Sequence, residues 1–167
     1  AHTIMLSLEG IPAFYIHSFF GTRNDHVRVE HTGHNRSINR SQLNIEELTT
    51  SLEKKHGHHQ RIFDQIRELI TIRRGQPAFH PSATQVILQL VDGVFGFWRQ
   101  SIDREQTIYC LFNISDSELS VALLDINLSL EHPWFELITG DEYLQDCCEL
   151  VMRPYQALWL TNNPMVA

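Results

Sequence analysis

The sequence predicts an α/β part followed by an all-β part. Up to Gly75, apolar residues recur at helical spacing between helix-capping residues, whereas after residue 86 apolar and polar residues alternate between turn clusters. Charge changes at the same point: ten Lys and Arg face eight Asp and Glu up to Gly75, and three face twelve afterwards. Eight of the ten histidines also precede this point. We therefore expect two domains, residues 1–75 and 76–167, with a boundary near Gly75–Pro77.

Composition excludes several classes of protein. The 167 residues are 43% hydrophobic and 20% charged, which argues against a disordered or fibrous chain. A net charge of -7 argues against nucleic-acid binding through bulk charge. No apolar run approaches the roughly 18 residues of a membrane span, and no signal-peptide pattern is present. We expect a globular protein that binds neither nucleic acid nor membrane.

The cysteines indicate a reducing compartment. Cys110, Cys147 and Cys148 form no CxxC pair, and a bond between the adjacent Cys147 and Cys148 would be strained. Three reduced thiols in a cytoplasmic protein are the expected state.

The first elements combine a helix, a strand and a loop. Residues 4–8 present one apolar helical face, which ends at Gly10. The mostly apolar run 13–17 is typical of a short buried strand. Residues 21–40 have almost no apolar periodicity, so we expect a long loop.

Two helices should follow this loop. Asn44 is placed to cap the first, with Glu47 at the capping-box position. The second should end at Gly75 before Pro77, and its apolar stripe consists of Ile62, Phe63, Ile66, Leu69 and Ile70.

The last part should form antiparallel strands. Apolar residues alternate from Val86 to Leu90, Asp92-Gly93 is typical of a tight hairpin turn, and residues 94–98 form the return strand. Further candidate strands are 107–112, 119–124, 134–138 and 155–160. This spacing predicts an antiparallel β-sandwich with a structural role.

No short catalytic motif is present, neither a GxSxG elbow, a phosphate-binding glycine loop nor an HExxH pair. Asp25 and Glu30 are a conceivable acid/base pair. We favour the alternative, in which both carboxylates pair with Arg23 and Arg28 on a solvated face.

The histidines offer two clusters. His26, His31 and His34 lack recognisable metal-ligand spacing, so surface or hydrogen-bonding roles are favoured over metal binding. The second cluster lies near a helix start and should be exposed to solvent, with adventitious nickel or zinc binding as the alternative: His56, His58 and His59. We expect no metal and no cofactor.

Four arginines fall within eighteen residues, and three asparagines lie beside them. Guanidinium and amide groups suit polyol hydroxyls, carboxylates and phosphates because they present several fixed donors. The equally weighted alternative is a folded loop whose arginines cap carbonyls and bridge to nearby carboxylates. The residues are Arg23, Arg28, Arg36 and Arg40, with Asn24, Asn35 and Asn39.

Several segments resemble the α-amylase family of glycoside hydrolases. Residues 9–15, reading EGIPAFY, and 20–25, reading FGTRND, look like the last barrel strand and the following loop of that family. Residues 32–40, reading TGHNRSINR, are similar to a segment of its sucrose and glucosylglycerate phosphorylase branch, with His34 where an arginine is expected. Residues 73–81 and 95–99 extend the resemblance along nearly the whole chain.

The resemblance implies a β/α barrel followed by a C-terminal β domain. Because such a barrel needs about 250 residues, we expect this chain to be a C-terminal fragment with the last barrel strand, active-site loop and closing helices. The missing start methionine agrees with that expectation. In the family the catalytic carboxylates lie on earlier strands, so we expect no catalytic residue here and no activity of the fragment alone.

For the parent protein the resemblance implies a retaining phosphorylase. It would transfer glucose from an α-glucoside of the sucrose or glucosylglycerate type to inorganic phosphate, giving α-glucose 1-phosphate. By this resemblance Arg40 contacts the acceptor or phosphate, and Asn24, Asp25 and Arg36 are further substrate-binding candidates. The expected partners are the sugar substrate and phosphate; the oligomeric state stays open.

Two alternatives remain at this point. The parent could be a hydrolase or transglucosidase of the same superfamily. The chain could instead be a non-catalytic carbohydrate-binding or structural module that stacks sugars on Trp98, Trp134 and Trp159. An exposed, coplanar pair of these indoles would support the binding module, whereas buried indoles would exclude it.

Overall fold

The computed structural model describes residues 1–126, 133–143 and 148–163. Cys147 lies outside them. The helices are α1 His2–Ser7, α2 Ile16–Phe19, α3 His26–Thr32, α4 Ile45–Glu53 and α5 His58–Gly75. The strands are β1 Thr84–Ile87, β2 Val94–Gln100, β3 Thr107–Asn113, β4 Leu119–Ala122, β5 Trp134–Glu136, β6 Glu142–Tyr143, β7 Glu149–Met152 and β8 Ala157–Thr161. The mixed helical and antiparallel character matches the prediction, and the described residues form no closed barrel.

The chain divides into two compact units, which are described separately. The helical unit is Ala13–Glu68, and the β unit combines Ala1–Pro12 with Leu69–Ala167. Helix α1 and the last turns of α5 therefore belong with the strands. The boundary at Gly75, drawn from composition, stays a prediction about domain architecture.

In the helical unit the predicted strand at 13–17 is wrong. Helix α2 begins at Ile16 instead, and Tyr15 and Ile16 are 47% and 49% exposed. A buried strand needs neighbouring strands to pair its backbone groups, and residues 1–83 contain no strand. Apolar composition alone therefore misassigned this segment.

The predicted loop at 21–40 is also wrong, because α3 and a 3₁₀ turn at Asn35–Asn39 lie within it. The Asp25 carboxylate caps α3 by accepting the Arg28 N–H at 2.9 Å, and Gly33 ends it with φ 66°. Val27 is 62% exposed, so this helix has caps but no apolar face that periodicity could detect.

Helices α4 and α5 are confirmed where the sequence predicted them. Asn44 Oδ1 accepts the N–H groups of Glu46 and Glu47 at 2.9 and 3.2 Å, which caps α4. Helix α5 ends at Gly75, directly before a 3₁₀ turn at Pro77–Phe79.

The β unit is a two-sheet sandwich. Six antiparallel strands are ordered β1-β2-β3-β8-β5-β6, and β4 pairs with β7 in a second sheet. Apolar side chains of both sheets share one core cluster, which includes Leu111, Val121, Leu150 and Leu158. The predicted hairpin is confirmed: the Val94 N–H donates to the Val91 carbonyl at 3.1 Å, and Gly93 has φ 90°.

The tryptophans belong to this core. Trp159 is 0% exposed and Trp134 is 4% exposed, while Trp98 packs half-buried against the cluster. The indoles that were candidates for sugar stacking therefore fill the sandwich, and the tryptophan-based binding module is excluded.

Two buried arginines fasten the N-terminal segment to the sandwich. Arg99 donates to the carbonyls of Ser7 at 2.9 Å and His80 at 2.8 Å. Arg73 donates to the carbonyls of Leu6 and, at 3.0 Å, of Gly10. Burial lowers the pKa of both guanidinium groups. Both arginines lie in segments that carry the family resemblance, and their role here is architectural.

Candidate functional site

The candidate site is the arginine-rich segment, which we define as residues 23–40. Asp25 organises its beginning through two bonds: its carboxylate caps α3, and its N–H donates to the Ile38 carbonyl at 2.7 Å. The second bond joins the start of the segment to its 3₁₀ turn. Asp25 thus holds the two ends of the segment together.

Further hydrogen bonds fix the C-terminal half of the segment. Thr32 Oγ1 lies 2.8 Å from both the Arg28 carbonyl and Ser37 Oγ. The Tyr15 hydroxyl donates to the Asn39 carbonyl at 2.7 Å. The segment is therefore a folded turn–helix–turn rather than an open loop.

Helix α5 anchors the turn that leads into the segment. His58 Nε2 donates to the Gly21 carbonyl at 2.8 Å, and His59 Nδ1 donates to the Phe20 carbonyl at 2.7 Å. Gly21 has φ 62°, and a Cβ there would lie 2.3 Å from Ile62 Cδ1, so no larger residue fits without displacement.

An aromatic cluster supports the same turn. Phe63 of α5 stacks on Phe20 with ring centroids 5.6 Å apart, and it contacts Phe19 edge to face at 5.2 Å. Phe19 in turn contacts Phe14 at 5.7 Å. His58 of the second histidine cluster is exposed, as predicted, whereas His59 is half-buried, and both hydrogen-bond to this turn.

The arginine side chains are not used to build the segment. Among the described residues, the guanidinium groups of Arg23, Arg28, Arg36 and Arg40 make no ion pair and no hydrogen bond. The expected pairing of Asp25 and Glu30 with Arg23 and Arg28 is therefore wrong, and so is the alternative of carbonyl-capping arginines. Asp25 instead accepts a backbone N–H, which leaves the cations available to a ligand.

The four proposed substrate-binding residues fall into two groups. Asn24, Arg36 and Arg40 are exposed, and Arg36 lies in the 3₁₀ turn that Arg40 follows. Asp25 is half-buried, and its carboxylate is engaged in capping, so it positions the segment. Their contact with a ligand stays a prediction.

The histidines of the segment do not form a metal site with other described residues. No group of three His, Cys, Asp or Glu side chains in the described ranges is arranged to hold a metal ion. His26, His31 and His34 are all exposed.

No helix in the described part of the chain has the length and apolar character needed to cross a bilayer.

Comparison with known proteins gives sequence relatives of one kind. No protein-family model matches the chain. It is 31% identical over 169 residues to a glucosylglycerate phosphorylase of Spirochaeta thermophila and 32% identical over 160 residues to one of Escherichia coli. A third, from Allomeiothermus silvanus, is 35% identical over 162 residues. The matches cover 96–97% of this chain but only 26–29% of the relatives, so the chain spans less than a third of their length.

Solved structures agree on the fold. AmyP in complex with maltose matches 99% of this chain and 34% of its own, with a TM-score of 0.71 at 16% identity. An Anoxybacillus α-amylase matches 99% of this chain and 32% of its own chain, with a TM-score of 0.71 at 17% identity. The fold of the chain is thus that found in part of the α-amylase-type glycoside hydrolases. Within that class, the resemblance predicted from the sequence is confirmed: the chain resembles part of a glucosylglycerate phosphorylase-like member of the α-amylase family.

Proposed function

We propose that the chain is the C-terminal part of a retaining sugar phosphorylase. The parent would transfer glucose from an α-glucoside of the sucrose or glucosylglycerate type to inorganic phosphate. The sequence relatives support this class, since all three described above are glucosylglycerate phosphorylases. The arginine-rich segment would contribute one wall of the site.

The chemistry is a double displacement. A carboxylate attacks the glucosyl carbon and expels the acceptor, and a phosphate oxygen then replaces the carboxylate at that carbon. The catalytic carboxylates belong to a part of the parent outside this chain. The second step brings an anion towards an anionic site, so fixed cations are required to lower its electrostatic cost.

One observation carries the proposal. Four arginines lie on a segment whose backbone is fixed by other groups, and none of their guanidinium groups is used within the described residues. Unpaired guanidinium forks on a fixed backbone are well suited to bidentate phosphate binding. Arg36 and Arg40 would bind phosphate or the acceptor, with Asn24 offering a neutral donor to a sugar hydroxyl and Asp25 holding the segment in place.

The test uses the full-length protein that contains this chain. Incubation with an α-glucoside should release α-glucose 1-phosphate only when phosphate is present. Arg40→Gln should raise the KM for phosphate about 10–100-fold, which corresponds to the loss of one charge-assisted hydrogen bond. Arg61→Gln is the matched control, because Arg61 is exposed on α5 in the same unit but outside the segment.

Two results would contradict the proposal. Glucose release at the same rate without phosphate would indicate a hydrolase. Equal effects of Arg40→Gln and Arg61→Gln on the phosphate KM would show that the segment contributes only general charge. The 167-residue chain alone should show no turnover, and measurable activity on any α-glucoside would contradict its assignment as a fragment without the catalytic carboxylates.

A further inference from the structure

Tyr155 has an unusual backbone for its residue type. The Gln156 N–H donates to the Arg153 carbonyl at 3.1 Å, which closes a four-residue turn with Pro154 and Tyr155 at its centre. Tyr155 has φ 57°, and proline fixes a negative φ before it, a combination typical of a type II turn. Glycine or asparagine normally occupies this position because a Cβ is strained there.

The fold gains little from this tyrosine. Its side chain is 70% exposed, so burial of the ring does not offset the backbone strain. The backbone of the turn is already fixed, because the Tyr155 N–H donates to the Ser115 carbonyl at 3.2 Å and Gln156 Oε1 accepts the Arg153 N–H at 2.8 Å. An exposed aromatic ring at a strained position is therefore a candidate for ligand contact.

A cavity of about 240 Å³ lies beside this ring in the β unit. The start of α1, the end of β3 and the turn before β8 line it, with Thr3, Ile114 and Gln156 among the lining residues. Its volume is below the roughly 300–1,000 Å³ of ordinary small-molecule sites, so it accommodates one ring of a ligand.

The lining indicates a neutral ligand with both apolar and polar faces. None of the described lining residues has a charged side chain. Tyr155 and the 59% exposed Ile114 provide apolar surface, while Gln156 Nε2 and the Thr3 hydroxyl make no hydrogen bond to any described residue. A pyranose has the matching chemistry, since its C–H face stacks on an aromatic ring and its hydroxyls bond to amides and hydroxyls.

We propose that this cavity binds one neutral sugar ring, which stacks on Tyr155 and accepts a hydrogen bond from Gln156. The site lies in the β unit and is independent of the function proposed for the arginine-rich segment. It would hold a glucoside without transforming it. The tryptophans that the sequence offered for stacking are not involved, and one tyrosine takes that role.

The experiment is an NMR titration of the 167-residue chain with methyl α-glucoside and with maltose. We expect saturable shifts of the Ile114, Tyr155 and Gln156 amides. Inorganic phosphate should not shift these amides when the α-amino group of Ala1, which also lines the cavity, is acetylated, because the lining side chains carry no charge. Sorbitol, a polyol without a ring face, should bind at least several-fold more weakly than methyl α-glucoside.

Tyr155→Gly separates binding from folding. It should weaken sugar binding at least tenfold, whereas Tyr155→Phe should retain it. Arg104→Gly is the matched control, since Arg104 is an exposed residue with φ 66° that does not line the cavity. Both glycine variants relieve the same kind of backbone strain, so each should raise the Tm by about 2–4 °C. Only Tyr155→Gly should lose sugar binding.

A second variant tests the polar contact. Gln156→Glu keeps an oxygen for the Arg153 N–H but removes the Nε2 donor, so it should weaken binding several-fold without lowering Tm. Three results would overturn the proposal: no saturable shifts with either sugar, sugar binding unchanged in Tyr155→Gly, or a Tm of Tyr155→Gly several degrees below that of Arg104→Gly. The last result would show that the Tyr155 side chain stabilises the fold of this chain.

Discussion

The helical unit and the β unit are stabilised in different ways. Within residues 13–68, Ile66 is the one buried apolar side chain, whereas the described residues of the β unit contribute twenty. The helical unit is held by helix caps, hydrogen bonds to carbonyls and contacts between half-buried aromatic rings. The β unit has a continuous core shared by two sheets.

The difference explains which arginines are left without a partner among the described residues. Four unpaired arginines lie in the helical unit, whose side chains are largely free of packing constraints. In the β unit, by contrast, Arg73 and Arg99 are buried and donate to backbone carbonyls. The same residue type is therefore left unpaired in one region and maintains architecture in the other.

The largest expected effect tests the buried arginine of the β unit. Arg99→Met should lower the free energy of unfolding by more than about 3 kcal/mol, because the buried carbonyls that Arg99 pairs, including those of Ser7 and His80, lose their donor. Urea denaturation measures this change. Arg74→Met, at an exposed position, should cost less than about 0.5 kcal/mol. Equal costs would contradict an architectural role for Arg99.

A smaller, local effect is expected in the helical unit. Phe63→Ala should cost about 2–3 kcal/mol, below the 3–5 kcal/mol of a fully buried phenylalanine, because the Phe63 ring is half-buried. Hydrogen exchange should accelerate at residues 16–32, while amides of β3 and β8 keep their protection. Phe63→Leu, which retains apolar volume, should show a smaller loss of stability and a smaller acceleration of hydrogen exchange. Equal acceleration in both units would show that they unfold as one.

The smallest effect concerns a surface carboxylate of the β unit. The Ser101 hydroxyl at 2.6 Å and the Glu105 N–H at 3.1 Å lower the pKa of Asp103 from its ordinary value. Because the folded pKa lies below the unfolded value of about 3.9, this stabilisation is present above about pH 4 and is lost as the pH falls through the folded pKa.

Asp103→Asn provides the comparison for this prediction. The variant should melt slightly below the unmodified protein at pH 7, and the difference in Tm should shrink as the pH is lowered from 4 towards 2. Thermal melts recorded across this range measure the effect. A constant difference over the whole range would mean that the charge of Asp103 does not contribute.

Elements with local signals were predictable from the sequence. Asn44 caps α4 through the N–H groups two and three residues later, and Asp92-Gly93 forms its turn within four residues. Helix α3 carries equally local signals in Asp25 and Gly33, which apolar periodicity does not detect. The strand predicted at 13–17 failed for another reason, since a strand depends on neighbours that its own residues do not specify.

The candidate site shows the same difference between local features, which the sequence predicts, and features that depend on distant residues. The sequence located the arginines and, by resemblance, the family, but it assigned the carboxylate of Asp25 to ion pairing and left His58 and His59 without their carbonyl partners. Both assignments depended on which backbone groups come near each side chain. Tyr155 was missed as a candidate ligand contact because neither its backbone φ nor its exposure can be read from residue type.

By itself the sequence determined helices α4 and α5, the first hairpin of the β unit, the separation of positive from negative charge, and the family resemblance. These follow from composition and from interactions within a few residues of one another. Only the tertiary structure decided which polar groups are consumed by the fold and which are left for a ligand. Arg99 bonds to a carbonyl 92 residues away, and His59 bonds to one 39 residues away, so their roles are settled only when distant segments meet. Arg36 and Arg40 meet no such partner among the described residues, and that leaves them as the best candidates for ligand binding.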